Sequence, residues 1–180
     1  MAATAKAICI HQTGGPEVLS WEDVAIGEPG PGEVRLRHTA VGLNFIDINH
    51  RTGAYRLDSL PAVIGMEGAG VVEQVGEAVE GLASGDRVSY CMVLGSYAHA
   101  RIIAADRLIK LEDHTSDDTA AAVTLRGLTA HYLLKELYPV QPGDVVLVQA
   151  AAGGVGLLLC QWAKHLGATV LGTVGTEAKA

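Results

Sequence analysis

Gln149-Ala-Ala-Ala-Gly-Gly-Val-Gly156 lies between a strand-like stretch, Asp144 to Val148, and a helix-like stretch that ends near Leu166. Residues this small at a strand-to-helix bend let the backbone approach a phosphate, and the free N–H groups and partial positive charge of the helix start attract one. The central glycine permits the approach and the third lets the helix pack closely on the strand, while Ala151 takes the first position, where glycine is more usual. A second strand, Thr169 to Val174, completes a βαβ unit, the context in which such a run means dinucleotide pyrophosphate binding. Ala152, Gly153, Gly154, Val155 and Gly156 are the residues expected at the pyrophosphate. The alternative is a tight turn that only lets the helix pack on the sheet.

The end of the second strand bears on which dinucleotide. An Asp or Glu about 20 residues past the glycines would hold a ribose 2′-hydroxyl and repel a 2′-phosphate. The sequence there is Thr173-Val-Gly-Thr176, with no acid, and Lys179 follows. Gly175, Thr176 and Lys179 therefore point to NADPH over NADH, with a plain surface lysine as the other reading of Lys179.

These residues need a scaffold, and the chain has the means to build one. With 49% hydrophobic and 18% charged residues in 180, it buries a real core and is of ordinary globular composition. A net charge of −7 opposes general attraction to nucleic acid or to an anionic membrane, so an anionic cofactor must be met locally. Val145 to Ala163 carries no charge and approaches the length of a spanning helix, but Gly153, Gly154, Gly156, Gln149 and Gln161 divide it into strand, turn and helix. Met1 to Ile10 reads as a first strand rather than as a signal or transit peptide. Cys9, Cys91 and Cys160 are odd in number and widely spaced, which excludes a disulfide framework and implies a reducing, cytoplasmic compartment. The seven histidines never pair at a metal-ligand spacing.

From Lys6 to about Ile109 the chain is cut by turns such as Gly14-Gly-Pro16, Glu28-Pro-Gly-Pro-Gly32 and Ser84-Gly-Asp86, which predicts short strands between them. Glu33-Val-Arg-Leu-Arg37 alternates, placing Val34 and Leu36 inward and both arginines outward, as in a half-buried antiparallel strand. Val71, Val72 and Val75 predict another. Thr115-Ser-Asp-Asp118 suits a helix N-terminus, with a helix expected to Leu137, before Pro139 and Pro142-Gly143 lead into the βαβ unit. The predicted organisation is a β-rich domain over 1–115, then a linking helix and the start of a doubly wound parallel α/β domain over 116–180. A complete dinucleotide fold uses two such halves, so the sequence is expected to be a truncated form, with apolar surface exposed on Val145–Val148 and Val170–Val174.

Seven motifs in order carry a resemblance that extends over essentially the whole chain: Gly14-Gly-Pro-Glu-Val-Leu19, Val41-Gly-Leu-Asn-Phe-Ile-Asp47, Gly65-Met-Glu-Gly-Ala-Gly70, Gly85-Asp-Arg-Val88, Gly127-Leu-Thr129, Ala150-Ala-Ala-Gly-Gly-Val-Gly156 and Gly172-Thr-Val-Gly-Thr176. Together they resemble the zeta-crystallin-type quinone oxidoreductases, a zinc-free branch of the medium-chain dehydrogenase/reductase superfamily. The resemblance implies a GroES-like β-domain followed by a Rossmann domain, with the site in the cleft between them and a homodimer formed through the Rossmann sheet edge. It places Asn44 and Thr129 near the nicotinamide and Tyr55 in the substrate cleft, in orienting and polarising roles. By their residue types alone, Asn44 reads as a turn-forming amide and Tyr55 as a half-buried loop aromatic. Asp47 and Glu67 suit hydrogen-bond or ion-pair networks rather than acid catalysis. Arg126 reads equally as a holder of an anionic group or as part of a solvated helix face.

Zinc relatives in that superfamily carry a cysteine at the position of Asn44 and a histidine at that of Met66, so no metal is expected here. Without a Lewis acid to stabilise a developing alkoxide, the acceptor should already be electrophilic, as a quinone or an enone is. The expected function is hydride transfer from NADPH to a quinone. Alternatives are reduction of a conjugated double bond, or cofactor binding without turnover as in crystallin relatives.

Overall fold

The computed structural model describes residues 3–180; Met1 and Ala2, which the expected first strand included, lie outside them. The chain divides into two compact units, Met1–Thr124 and Leu125–Ala180.

Turn residues every few positions leave the first unit only short strands, all paired antiparallel. Strands β1 (Thr4–Ile10), β2 (Ser20–Ala25), β3 (Glu33–Val41), helix α1 (Phe45–Thr52), and strands β4 (Ala62–Val63), β5 (Glu67–Val75), β6 (Arg87–Cys91), β7 (Ala100–Ala104) and β8 (Ile109–Lys110) follow in order. They form a three-stranded sheet, β2-β1-β4, and a five-stranded one, β7-β3-β5-β6-β8. The alternation of β3 resolves as its pattern predicts: Val34 and Leu36 are fully buried, Arg35 pairs with Glu28 at 2.8 Å and Arg37 with Glu73 at 3.1 Å. Val34 and Leu36 pack with Val72, Val88, Tyr90 and Ile103 into the main core, each such side chain contributing about 1.5–3 kcal/mol by leaving water.

Helix α2 spans Asp117–His131, and the helix expected to reach Leu137 instead widens into a π-helical stretch over Tyr132–Leu137. Its start is built from the predicted residues, since Ser116 Oγ accepts the Thr119 N–H at 3.2 Å. Asp117 takes the Thr39 hydroxyl at 2.6 Å and the Arg87 guanidinium at 2.7 Å, and these two hold its carboxyl below the usual range.

The second unit contains β9 (Val145–Val148), α3 (Gly154–His165) and β10 (Thr169–Gly172), the two strands parallel and in register from Val145–Thr169 to Val148–Gly172. One face is covered: Leu134, Val140 and Ala163 pack with Val146, Leu159, Trp162 and Val170. The other is not, and Val145, Leu147 and Leu171 are 68%, 61% and 54% exposed. That is the apolar surface the sequence predicts for a parallel pair with helical cover on one side. Among the described residues no helix is long and apolar enough to cross a membrane.

Behind the main core, His38 donates from Nδ1 to the Ala98 carbonyl at 2.6 Å, and its Nε2 accepts the Tyr90 hydroxyl at 2.8 Å, the tautomer that satisfies both contacts. Burial first, with Arg101 and His99 adding positive charge nearby, lowers the His38 pKa to about 4. The unfolded chain then binds a proton that the folded one refuses, so stability is lost as pH falls from about 6.5 toward 4. Urea unfolding should show about 2 kcal/mol less stability at pH 5 than at pH 7.5 from this group, a loss that H38Q should not share. Equal pH slopes in the two proteins would refute the assignment.

Candidate functional site

The chemistry-bearing residues fall into one group in each unit. In the first, Gly42 turns the chain out of β3, and Asn44 precedes α1 with extended backbone, φ −126° and ψ 156°. Asn44 N–H donates to Asp47 Oδ2 at 2.9 Å, and the Asp47 N–H donates back to the Asn44 carbonyl at 3.1 Å. Helix α1 ends at Gly53 in the left-handed region, φ 83°, and Tyr55 follows, held by its N–H on the Asn49 carbonyl at 3.0 Å. The Tyr55 ring stands edge-on to His50 with centroids 6.0 Å apart, and the residue is 51% exposed, so it is more open than a half-buried loop aromatic.

Asn44 is nearly buried, and its Nδ2 donates to Glu67 Oε2 at 2.7 Å. Glu67 opens β5 and is fully buried. Met66 beside it is buried, its carbonyl accepting the Met92 N–H at 2.8 Å. Asp47 takes the Tyr97 hydroxyl at 2.8 Å, and burial together with this carboxylate pushes the Tyr97 phenol far up. Among the described residues no cluster of three or more His, Cys, Asp or Glu side chains is gathered for a metal ion. Asp47 and Glu67 thus act as acceptors in a polar network, the structural role their sequence position suggests.

In the second unit the glycine run makes a bend from β9 into α3. Ala150 takes the left-handed conformation, φ 52°, and its carbonyl accepts the Gly153 N–H at 2.8 Å, while the Ala151 N–H reaches the Thr173 carbonyl at 2.9 Å. Gly153, extended at φ −80°, precedes α3. A side-chain carbon on Gly156 would lie 2.3 Å from the Ala150 carbonyl oxygen, which only a glycine avoids. Ala152, Gly153 and Gly154 are exposed, Val155 is half-buried and Gly156 is buried, so the bend presents backbone outward and anchors itself inward. A side-chain carbon on Gly154 would lie 2.8 Å from Arg126 Nε, which places that guanidinium over the start of α3. Such an arrangement of exposed N–H groups, helix terminus and adjacent cation suits an anion.

Gly175 and Thr176 are exposed after β10, and Lys179, also exposed, closes a short 3-10 turn by donating its N–H to the Thr176 carbonyl at 3.1 Å. Thr129 lies on α2 and donates its hydroxyl to the Leu125 carbonyl at 2.8 Å. His131 packs against Trp162 with ring centroids 5.7 Å apart, and Cys160 is half-buried and unbridged. The sequence reading named Glu67 without seeing its partner, because an amide and a carboxylate 23 positions apart meet only through the pairing of β3 with β5.

Residues 30–113 match the alcohol dehydrogenase GroES-like domain family. The chain is similar to a 2-haloacrylate reductase of a Burkholderia species, 49% identical over 97% of this chain and 54% of the relative. It is equally similar to a quinone oxidoreductase of Pseudomonas aeruginosa, 49% identical over 98% of this chain and 54% of that one. Among solved structures, Escherichia coli quinone oxidoreductase complexed with NADPH superimposes with a TM-score of 0.94 at 45% identity, covering 99% of this chain and 54% of that chain. The chain spans about half the length of the curated relatives it matches.

Two glycine substitutions separate steric need from mere presence. G156A drives a methyl into the Ala150 carbonyl and should lower stability by about 1–3 kcal/mol, whereas G175A meets nothing within 4 Å and should change it by less than about 0.5 kcal/mol. Thermal unfolding of both variants checks this; equal effects would mean that the bend is not built on the close approach at Gly156.

Proposed function

We propose that the protein is a quinone oxidoreductase of the medium-chain dehydrogenase/reductase superfamily, which binds NADPH and passes its hydride to a quinone, on the strength of its likeness to proteins of that activity. The observation that carries this reading is the outward-facing backbone of Ala152, Gly153 and Gly154 at the start of α3, held in place by the glycine-only approach at Gly156. These residues fit a pyrophosphate, since their own small side chains leave the backbone N–H groups at the helix start exposed. Arg126 adds a positive charge at the same place, and Lys179 beyond β10, in one short turn with Glu177, supports a 2′-phosphate, no Asp or Glu lying between Thr173 and Thr176.

On the acceptor side, Asn44, Tyr55 and Thr129 are proposed to orient the two flat partners, Asn44 by its amide and Tyr55 by its exposed ring. Neither Asn44 nor Met66 is a good zinc ligand, which favours acceptors whose conjugation spreads the incoming charge. Proton uptake from solvent completes the hydroquinone. The relative named 2-haloacrylate reductase, at the same identity, favours a second reading: reduction of a conjugated carbon–carbon double bond. We extend the proposal to a cytoplasmic homodimer, consistent with three unbridged thiols, and sedimentation of the protein should then give twice the chain mass.

Titration with NADPH and NADH tests the cofactor reading directly. Saturable NADPH binding, tighter than NADH by about tenfold and losing that margin in K179A, is the expected outcome, from one charge-assisted contact to the 2′-phosphate. Absence of saturable NADPH binding would overturn it. Oxidation of bound NADPH by quinones but not by enones selects the first reading, the reverse selects the second, and binding without turnover on either means a non-catalytic protein.

A further inference from the structure

We infer that Glu67 is a positioning residue that fixes which end of the Asn44 amide is offered to a ligand, presenting Oδ1 as an acceptor for a carboxamide N–H or a hydroxyl. This rests on the proposed role of Asn44 near the cofactor and adds the atom that makes the contact and the group that sets it.

An asparagine amide has two ends of opposite polarity and similar shape, so an unconstrained one offers a donor or an acceptor at little difference in energy. Here the backbone of Asn44 is pinned in both directions by Asp47, at 2.9 and 3.1 Å, and Asp47 is itself held by the Tyr97 hydroxyl at 2.8 Å. With the backbone fixed, the remaining freedom is rotation of the side chain. Glu67 removes it. Its Oε2 accepts Asn44 Nδ2–H at 2.7 Å in a site where Glu67 is 0% and Asn44 8% exposed. A carboxylate accepts and never donates, so it selects the Nδ2 end and turns Oδ1 away from itself, to the side where the capping box at the start of α1 sets the Asp47 N–H, with lone-pair capacity left for a ligand. Reversing the amide would set two oxygen acceptors against each other in a buried site, which the penalty for burying unpaired polar groups disfavours.

The surrounding backbone holds Glu67 in place as well. Gly42 donates its N–H to the Glu67 carbonyl at 3.0 Å, and a side-chain carbon on Gly42 would lie 2.3 Å from Glu67 Oε2 and 2.5 Å from the Ala121 carbonyl oxygen. Only a glycine at 42 leaves the carboxylate where it reaches Asn44. The Gly42, Asn44, Asp47, Glu67 and Tyr97 arrangement is thus a device for one amide orientation.

The test uses the 180-residue chain labelled with ¹⁵N and ¹³C. A through-hydrogen-bond coupling between Asn44 Nδ2 and the Glu67 carboxylate carbon, with one Asn44 side-chain proton shifted downfield of its geminal partner, is expected in the unmodified protein and needs no variant. In E67Q, which keeps the shape but can donate as well as accept, that splitting should collapse while the backbone amide spectrum stays native. NADPH titration adds the ligand side: N44A and E67Q should each weaken binding by about tenfold, and the double variant by no more than either alone. A missing coupling, an unchanged Asn44 amide in E67Q, or additive losses in the double variant would overturn the inference. If the unmodified chain binds no NADPH, the cofactor reading fails by itself, and the amide signals still decide whether Glu67 sets the orientation.

Discussion

A carboxylate that has left water must be met by hydrogen-bond donors, and in the first unit Glu67 and Asp47 are both almost completely buried. Much of the local architecture follows from meeting that demand. Asn44 turns its Nδ2 to Glu67, and its backbone N–H, together with the Tyr97 hydroxyl, donates to Asp47 Oδ2. Gly42 exists as glycine because Glu67 Oε2 and the Ala121 carbonyl occupy the space a side chain would need. The β3–β5 pairing brings these groups together, so the polar network at the start of α1 depends on the same register that buries Val34, Leu36 and Val72.

The second unit meets a different constraint, the close passage of backbone against backbone. The Ala150 carbonyl both accepts the Gly153 N–H and faces Gly156 at a distance that excludes a side chain. This packs the bend inward and leaves Ala152, Gly153 and Gly154 facing outward, which is what an anionic ligand requires of a helix start. Small residues therefore serve packing here, and the same bend carries the backbone on which the proposed phosphate contact rests.

How legible each part was depends on the range of the interactions that define it. The alternation in Glu33–Arg37, the helix-starting Ser116 and the strand-bend-helix-strand succession rest on local stereochemistry, so they could be read in the sequence. The π-helical widening at Tyr132–Leu137 could not, because it departs from the α-helical period that a pattern assumes and is fixed with Leu134 in a core shared with Val140 and Ala163. Thr129 showed its position on a helix, but not that its hydroxyl is occupied by the Leu125 carbonyl. For Tyr55 the sequence supplied an aromatic after a turn, and the structure supplied its 51% exposure.

Composition and spacing by themselves determined that this chain makes an antiparallel β unit followed by a βαβ bend, because turn chemistry and periodicity act over a few residues. They also determined the absence of an acid from Thr173 to Thr176 and of cysteine and histidine at positions 44 and 66. Only the tertiary structure decided that Glu67 is the partner of Asn44, that Tyr97 is the partner of Asp47, and that Arg126 lies over Gly154. Those pairs span 23, 50 and 28 positions. Contacts at such separations are set by strand register and helix packing, which no local pattern of residues encodes.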